Sequence, residues 1–217
     1  MTLRTASALA VILVSASGRL VGASAPVEID PGLRYVRVHS LETDGAVVEK
    51  ACATGTPLIL DVRFASAKEG DGALFARDLS ARAGDEPLFV LVSPSTPAAM
   101  ASALSGSPRR LITLGVADST PPARVVIVQT AEADRRAYDA AESGKDLAKL
   151  ISGKVDKDRY DEASLVSDFN NGNSNPELPP SPDPRQAKEN KTAPLVDRVL
   201  QRAVHLYRAL TAVKPRS

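Results

Sequence analysis

A carboxylate and a guanidinium stand two residues apart at the end of an apolar run, where an α/β protein could use them. The run 58–62 is apolar apart from Asp61, and Arg63 follows it directly. Such a run is typical of a strand covered on both faces in a parallel sheet, and open α/β sheets bind ligands at the carboxyl ends of their strands. Residues two apart on a strand face the same side, so Asp61 and Arg63 can pair. A structural ion pair is the favoured interpretation, and a place in a cleft is the alternative.

Hydroxyl groups follow the next apolar run, residues 88–92, and could supply a nucleophile. Serine attacks only when a neighbouring base takes its proton. Serines next to prolines, as in this stretch, more commonly form turns. The candidates are Ser93, Ser95 or Ser102 as nucleophile, Lys68 or Arg124 as helper, and Ser95 and Thr96 as further residues of a candidate cleft.

Metal and thiol chemistry have little support in the sequence. The chain has one cysteine, Cys52, and two histidines, His39 and His205, which are far apart in sequence. A zinc site needs several such ligands close together, and a disulfide needs two cysteines. Cys52 lies on the apolar side of a helical stretch, which indicates a small buried side chain. We therefore expect no metal, no cofactor and no internal disulfide.

The overall composition argues against nucleic-acid binding. The 217 residues include 27 lysines and arginines against 26 aspartates and glutamates, and aromatic residues make up 4%. A nucleic-acid partner needs a basic field on the protein, and single strands also need aromatic side chains for base stacking. We therefore expect no nucleic-acid partner.

Residues 1–25 have the pattern of a cleavable secretory signal. Arg4 gives a positive start, residues 8–16 are mostly apolar, and Ala23-Ser24-Ala25 has the small-x-small form of a cleavage site. The apolar stretch is well short of the roughly 20 residues that cross a bilayer. A retained anchor is therefore the weaker alternative, and no stable membrane span is expected after cleavage. The sequence predicts a secreted or periplasmic protein that begins near Pro26.

Apolar runs alternate with helical patterns over residues 26–169, which predicts one α/β core domain with a mostly parallel sheet. Residues 170–192 hold several prolines and asparagines and almost no apolar side chains, so they are predicted to be disordered or an exposed loop. Residues 193–214 have apolar side chains at three- and four-residue spacing, which predicts an amphipathic helix packed on the core. The predicted strands are 35–38, 58–62, 88–92, 111–114 and 124–129, and the predicted core helices are 46–53, 73–83, 98–104 and 132–154.

Taken together, these segments resemble the core of the carboxy-terminal processing peptidases, also called tail-specific proteases. Leu58-Ile59-Leu60-Asp61-Val62-Arg63 is similar to that family's strand ending in Asp-x-Arg, and residues 88–103 resemble the strand and helix that carry its nucleophile. Residues 33–38 and 197–203 also resemble family segments. The resemblance covers most of residues 33–130 and the last helix. It implies a ββα-type core like those of crotonase and Clp protease, with a C-terminal docking helix.

The resemblance also implies where the family's catalytic groups would stand. Active members use a serine at a helix start and a lysine that takes its proton. The serine position matches Ala98, and the lysine position matches Ala123. A methyl group can neither attack a carbonyl nor accept a proton. The family's glycine pair after Asp-x-Arg, whose backbone donors help to hold the oxyanion, is replaced by residues 64–67, Phe-Ala-Ser-Ala.

We therefore predict an exported, non-catalytic, peptidase-like protein that binds or assembles with a peptide or protein. The alternative is a serine hydrolase or peptidase with a shifted nucleophile. A third interpretation is an unrelated α/β domain that shares only the βαβ pattern with the family.

Overall fold

The computed structural model describes residues 25–106, 111–152 and 195–213. Within them, six strands form one sheet, and their order across the sheet is their order in the chain. The first pair of strands is antiparallel, and every later pair is parallel. The strands are β1 (Val27–Asp30), β2 (Leu33–Arg37), β3 (Leu58–Asp61), β4 (Leu88–Val92), β5 (Leu111–Val116) and β6 (Val125–Ile127). The helices are α1 (Leu41–Ala53), α2 (Asp71–Ser80), α3 (Ala98–Ser105), α4 (Ala131–Glu142), α5 (Leu147–Ser152) and α6 (Arg198–Val213).

The central strands are buried because helices cover both faces of the sheet. Leu60 and Val90 belong to an apolar cluster that includes side chains of α1, α2 and α3. Their neighbours Ile59 and Phe89 belong to a second cluster, which includes side chains of α5 and α6. Successive residues of a strand point to opposite faces, so one apolar run supplies both clusters. These features confirm the predicted α/β class and the mostly parallel sheet.

The first helix begins earlier than the sequence pattern indicates. We predicted a cap near Thr43 and a helix from Ala46, whereas α1 begins at Leu41. Ser40 is the N-cap, and its Oγ accepts a hydrogen bond from the backbone N–H of Glu42 at 3.2 Å. The Asp44 carboxylate in turn accepts the backbone N–H of Ser40 at 3.3 Å. The two side chains thus each bond a backbone N–H at the start of α1.

The predicted helix 132–154 is divided into two in the described residues. α4 ends at Glu142, and α5 begins at Leu147. Gly144 lies between them with a φ of 89°, a left-handed conformation that favours glycine and ends helices. The break separates α4 from α5, whose Ile151 belongs to the same apolar cluster as the side chains of α6.

Several sequence predictions concern other parts of the chain. The proposed signal, apart from Ala25, and the segment 170–192 lie outside the described residues, as do both ends of the predicted helix 193–214. Among the helices that are described, none is long and apolar enough to cross a membrane.

Candidate functional site

Asp61 and Arg63, the charged pair that the sequence singles out, lie at the carboxyl edge of the sheet. β3 ends at Asp61, and Arg63 follows two residues later. The guanidinium of Arg63 donates to both carboxylate oxygens of Asp61, from Nε at 2.9 Å and from Nη2 at 2.7 Å. This is the two-pronged geometry that makes an arginine–carboxylate pair strong. Both side chains are fully buried.

Two more carboxylates complete the surroundings of Arg63. Asp134, in the first turn of α4, accepts from Nη1 at 2.6 Å. Asp197, which directly precedes α6, accepts from Nη1 at 3.1 Å and from Nη2 at 2.8 Å. All of these side chains have no exposed area. We call Arg63, Asp61, Asp134 and Asp197 the Arg63 cluster.

A series of hydrogen bonds leads from the Arg63 cluster toward the surface. The Tyr35 hydroxyl donates to Asp61 at 2.8 Å, and Arg37 Nε donates to the Tyr35 oxygen at 3.0 Å. Arg37 Nη1 then donates to Glu142, at the end of α4, at 2.8 Å. His39 Nε2 lies 3.1 Å from the same carboxylate. These contacts therefore join the ends of β2 and β3 to the last residue of α4.

Aromatic rings close the space between α4 and the sheet. The Arg37 guanidinium lies 4.5 Å from the centroid of the Tyr138 ring, and Phe64 meets Tyr138 edge to face with centroids 4.8 Å apart. Arg135 covers the outer side of Phe64 at 4.7 Å. Cations over aromatic faces and edge-to-face ring pairs are both favourable geometries. The result is a packed layer over the carboxyl ends of β2 and β3.

Two carboxylates of the Arg63 cluster, Asp61 and Asp134, have pKa values shifted in opposite directions. Burial by itself would raise the pKa of Asp61, but the charge and hydrogen bonds of Arg63 outweigh it and hold the pKa below its usual range. Burial raises the pKa of Asp134 to about 6, and the attraction of Arg63 offsets only part of this effect. One oxygen of Asp134, Oδ2, has no hydrogen-bond partner. Desolvation thus dominates where a carboxylate has one strong contact, and pairing dominates where it has several.

The serine-rich turn after β4 is held by its own hydrogen bonds. Ser93 is fully buried; its Oγ donates to the backbone carbonyl of Arg63 and accepts the backbone N–H of Ser95 at 3.1 Å. Thr96, which is 5% exposed, accepts the N–H of Ser93 at 2.9 Å. Ser95 is exposed. Ser93 and Thr96 therefore act as turn formers, and Ser95 is the hydroxyl of this turn that solvent reaches.

The other candidates for hydrolytic chemistry have different neighbours. Ser102 is exposed on α3. Lys68 is exposed and pairs with Glu42 at 2.7 Å, which raises the pKa of Lys68 and keeps it protonated. Arg124 donates to the carbonyl of Leu111 at 3.0 Å.

The two alanines at the family's catalytic positions lie toward opposite ends of the parallel strands. Ala98 is the exposed first residue of α3, which follows the carboxyl end of β4. The backbone N–H of Arg124, directly after Ala123, donates to Thr113 Oγ1 in the amino-terminal half of β5 at 2.9 Å. Ala123 itself packs against the cluster beneath the first three helices. The fold therefore does not bring these two positions together at one edge.

The single thiol of the chain is buried. Cys52 is 1% exposed, and burial raises the pKa of its thiol to about 11, so the reactive thiolate is scarce at neutral pH. Within the described ranges, no three histidine, cysteine, aspartate or glutamate side chains are grouped to hold a metal ion.

Sequence reasoning missed several members of this site. Asp134 and Asp197 are 71 and 134 residues from Arg63 in the chain, so no local spacing connects them with it. A weak signal was present, because each aspartate stands at the start of a helical pattern. Such a position indicates a cap or a favourable contact with the helix dipole rather than a partner for a distant arginine.

No protein-family model matches the chain, and no curated protein matches it.

Proposed function

We propose that this is a non-catalytic, peptidase-like protein that works outside the cytoplasm by binding a peptide or another protein. The observation that carries the proposal is that the carboxyl edge of the sheet is covered and its charged side chains are buried and paired. Open α/β sheets bind their ligands in the crevice at this edge. Here α4 covers the ends of β2 and β3, and the Arg63 cluster beneath it has no exposed side-chain area.

The chemistry of this edge is structural rather than catalytic. Each charged group of the Arg63 cluster contacts a group of opposite charge within the protein. A substrate could reach these groups only if α4 or α6 moved away, which would leave buried charges unpaired at a cost of several kcal/mol. Ser93, the buried hydroxyl closest along the chain to the end of β4, already makes two hydrogen bonds.

The peptidase-like part of the proposal is supported by the strand that ends in Asp61-Val62-Arg63 and by the helix that follows β4. A core related to crotonase and Clp protease, closed by the C-terminal helix, is the finer fold that we propose. The positions of Ala98 and Ala123 add no support for a former active site, since they do not share an edge. Their methyl groups support the absence of catalysis.

Labelling with a fluorophosphonate probe tests whether the protein is a serine hydrolase with a shifted nucleophile. This probe reacts with serines that a nearby base has activated. We expect no labelling of the folded protein, with an active serine hydrolase as the positive control. Labelling that disappears in Ser95→Ala would establish the hydrolase alternative, because Ser95 is the exposed hydroxyl of the turn after β4.

Export is tested separately by the N-terminus of the protein recovered from the cells that produce it. Cleavage after Ala25 would give a chain that begins at Pro26, found outside the cytoplasm. A cytoplasmic protein that retains Met1 would refute export and leave the binding proposal to be judged by its own experiments.

A further inference from the structure

β6 forms one edge of the sheet in the part of the chain that the structure describes. It pairs with β5 on one side, and no described strand lies on its other side. An edge strand of this kind offers backbone N–H and C=O groups to an added strand. The edge is therefore a ready template for an extended peptide.

The side chains of this edge are unusually apolar for an exposed position. Val126 is 60% exposed and Val128, just beyond the strand, is 90% exposed. Protein edges are commonly protected by charged residues or proline on the strand itself. Residues 125–128, which are β6 and the residue after it, carry neither. A partner strand would remove this apolar surface from water.

Basic side chains of α6 stand next to the same edge. The strand and the helix together line an open groove of about 530 Å³. Arg198, Arg202 and His205 lie along its helical side, and all are exposed. No carboxylate is among the residues that line the groove. The groove therefore combines an apolar strand with one sign of charge, which favours an acidic partner.

We infer that this groove binds an acidic peptide in extended conformation, which adds as a strand to β6 and places carboxylates against the arginines of α6. The inference deepens the proposed binding function, since it assigns a surface and a partner chemistry to it. Backbone hydrogen bonds would supply affinity, and alternate side chains would supply specificity, with apolar residues over Val126 and Val128 and acidic residues toward Arg198 and Arg202.

A second copy of the chain fits the groove less well than a separate acidic peptide. The opposite edge strand, β1, does alternate apolar and acidic residues. Its carboxylates are already engaged: Glu28 accepts the N–H of Gly32 at 2.9 Å, and Asp30 binds Arg208 of α6 at 2.7 Å. Pairing β1 with β6 of another copy would have to compete with these contacts.

The test measures binding of a labelled peptide of alternating valine and glutamate, about eight residues long, which suits a strand. The full chain is titrated against the peptide by fluorescence anisotropy, with a valine–lysine peptide of equal length as comparison. We expect binding of the glutamate peptide alone, weakening as salt is raised. Arg202→Glu should weaken it by about tenfold or more, because an attraction becomes a repulsion.

Arg136→Glu is the matched control, since it reverses the same charge at an exposed position of α4. It should leave the affinity unchanged. Hydrogen exchange should show new protection on binding for those backbone amides of residues 125–128 that do not already bond to β5.

The inference is overturned if the two peptides bind equally, if neither binds, if both variants lose the same affinity, or if binding leaves those amides unprotected. It also fails if the chain self-associates through this edge, seen as concentration-dependent sedimentation that Arg202→Glu abolishes. Each of these results is distinct from labelling by the fluorophosphonate probe, which tests the non-catalytic proposal.

Discussion

Arg63 shares its single positive charge among the carboxylates of Asp61, Asp134 and Asp197, all without exposed area. Arg37 adds a second positive charge nearby but binds Tyr35 and Glu142 directly. Negative charge is therefore in excess around one guanidinium, and a buried charge without a good partner is costly. A proton on one carboxylate relieves this excess. Asp134 can take this proton, because one of its oxygens has no hydrogen-bond partner and burial raises its pKa to about 6.

Asp134→Asn tests this account through the pH dependence of stability. The pKa of Asp134 rises from 3.8 to about 6 on folding, so the folded state binds the proton more tightly than the unfolded state. Its contribution to stability is therefore fully present below pH 3.8 and is lost as the pH rises through about 6. Wild type should lose on the order of 2 kcal/mol relative to Asp134→Asn between these limits. Urea unfolding at several pH values measures the difference.

Asp139→Asn is the control for this experiment, because Asp139 is exposed on the same helix and binds Arg135 at 2.8 Å. A difference between wild type and Asp134→Asn that stays constant across this range would contradict the assigned pKa. If Asp139→Asn changed the pH dependence of the free energy of unfolding as much as Asp134→Asn does, the group that titrates near pH 6 would not be Asp134.

At the scale of elements, the helices over one face of the sheet pack closely enough to require small residues. A Cβ atom added at Gly72, in the first turn of α2, would lie 2.7 Å from the backbone carbonyl oxygen of Ala99 in α3. Backbone atoms cannot turn aside as a flexible side chain can. The contact between α2 and α3 therefore depends on the absence of a side chain at residue 72.

Gly72→Ala should destabilise the protein by about 1 kcal/mol or more, because the clash outweighs the better helix propensity of alanine. Gly45→Ala is its matched control, since Gly45 also lies in a helix but a Cβ atom there would meet nothing within 4 Å. That variant should be more stable by roughly 0.5–1 kcal/mol. Chemical denaturation measures the change in the free energy of unfolding of each variant. If both variants gained stability, or both lost it, the packing explanation would be wrong.

At the scale of the whole molecule, one aspartate connects the last helix to the core. Asp197 binds Arg63, and it also accepts the backbone N–H of Leu200 at 2.9 Å as a cap for α6. Its own N–H donates to the carbonyl of Leu150 in α5 at 3.0 Å. α6 then covers apolar side chains of the sheet such as Phe89 and Leu114. Loss of these contacts should weaken the packing of α6 on the sheet.

Asp197→Ala should cost about 2 kcal/mol or more, since it removes two hydrogen bonds from the buried Arg63, which keeps Asp61 and Asp134 as partners, and it also removes the helix cap. Asp30→Ala is the comparison, because Asp30 also binds an arginine of α6, but that arginine, Arg208, has a side chain 57% exposed. An exposed pair contributes at most about 1 kcal/mol. Urea unfolding gives both values, and hydrogen exchange of α6 shows whether this helix opens first. Equal losses would show that burial of the pair is not decisive.

The sequence alone determined the alternation of strands and helices in the core. Runs such as 58–62 and 88–92 are apolar on both faces of a strand, which only a sheet covered on both sides satisfies, so the parallel arrangement followed from composition and period. The strand β1 was missed because Val27 to Asp30 is short and half acidic, with two exposed and two partly buried residues. The start of α1 was misplaced because several residues before it can cap a helix, and the backbone conformation selects among them.

Only the tertiary structure decided what the charged residues do. The pattern of Asp61 and Arg63 predicted a pair. It could not predict the contacts with Asp134 and Asp197, because these aspartates follow Arg63 by 71 and 134 positions in the chain. Likewise, nothing in the local sequence shows that β6 lies at an edge or that Arg198 and Arg202 stand beside it. Periodicity is a local property of the chain, and it fixes which face of an element is apolar. Which elements then meet, and whether a charge ends up paired or exposed, depends on packing between distant segments.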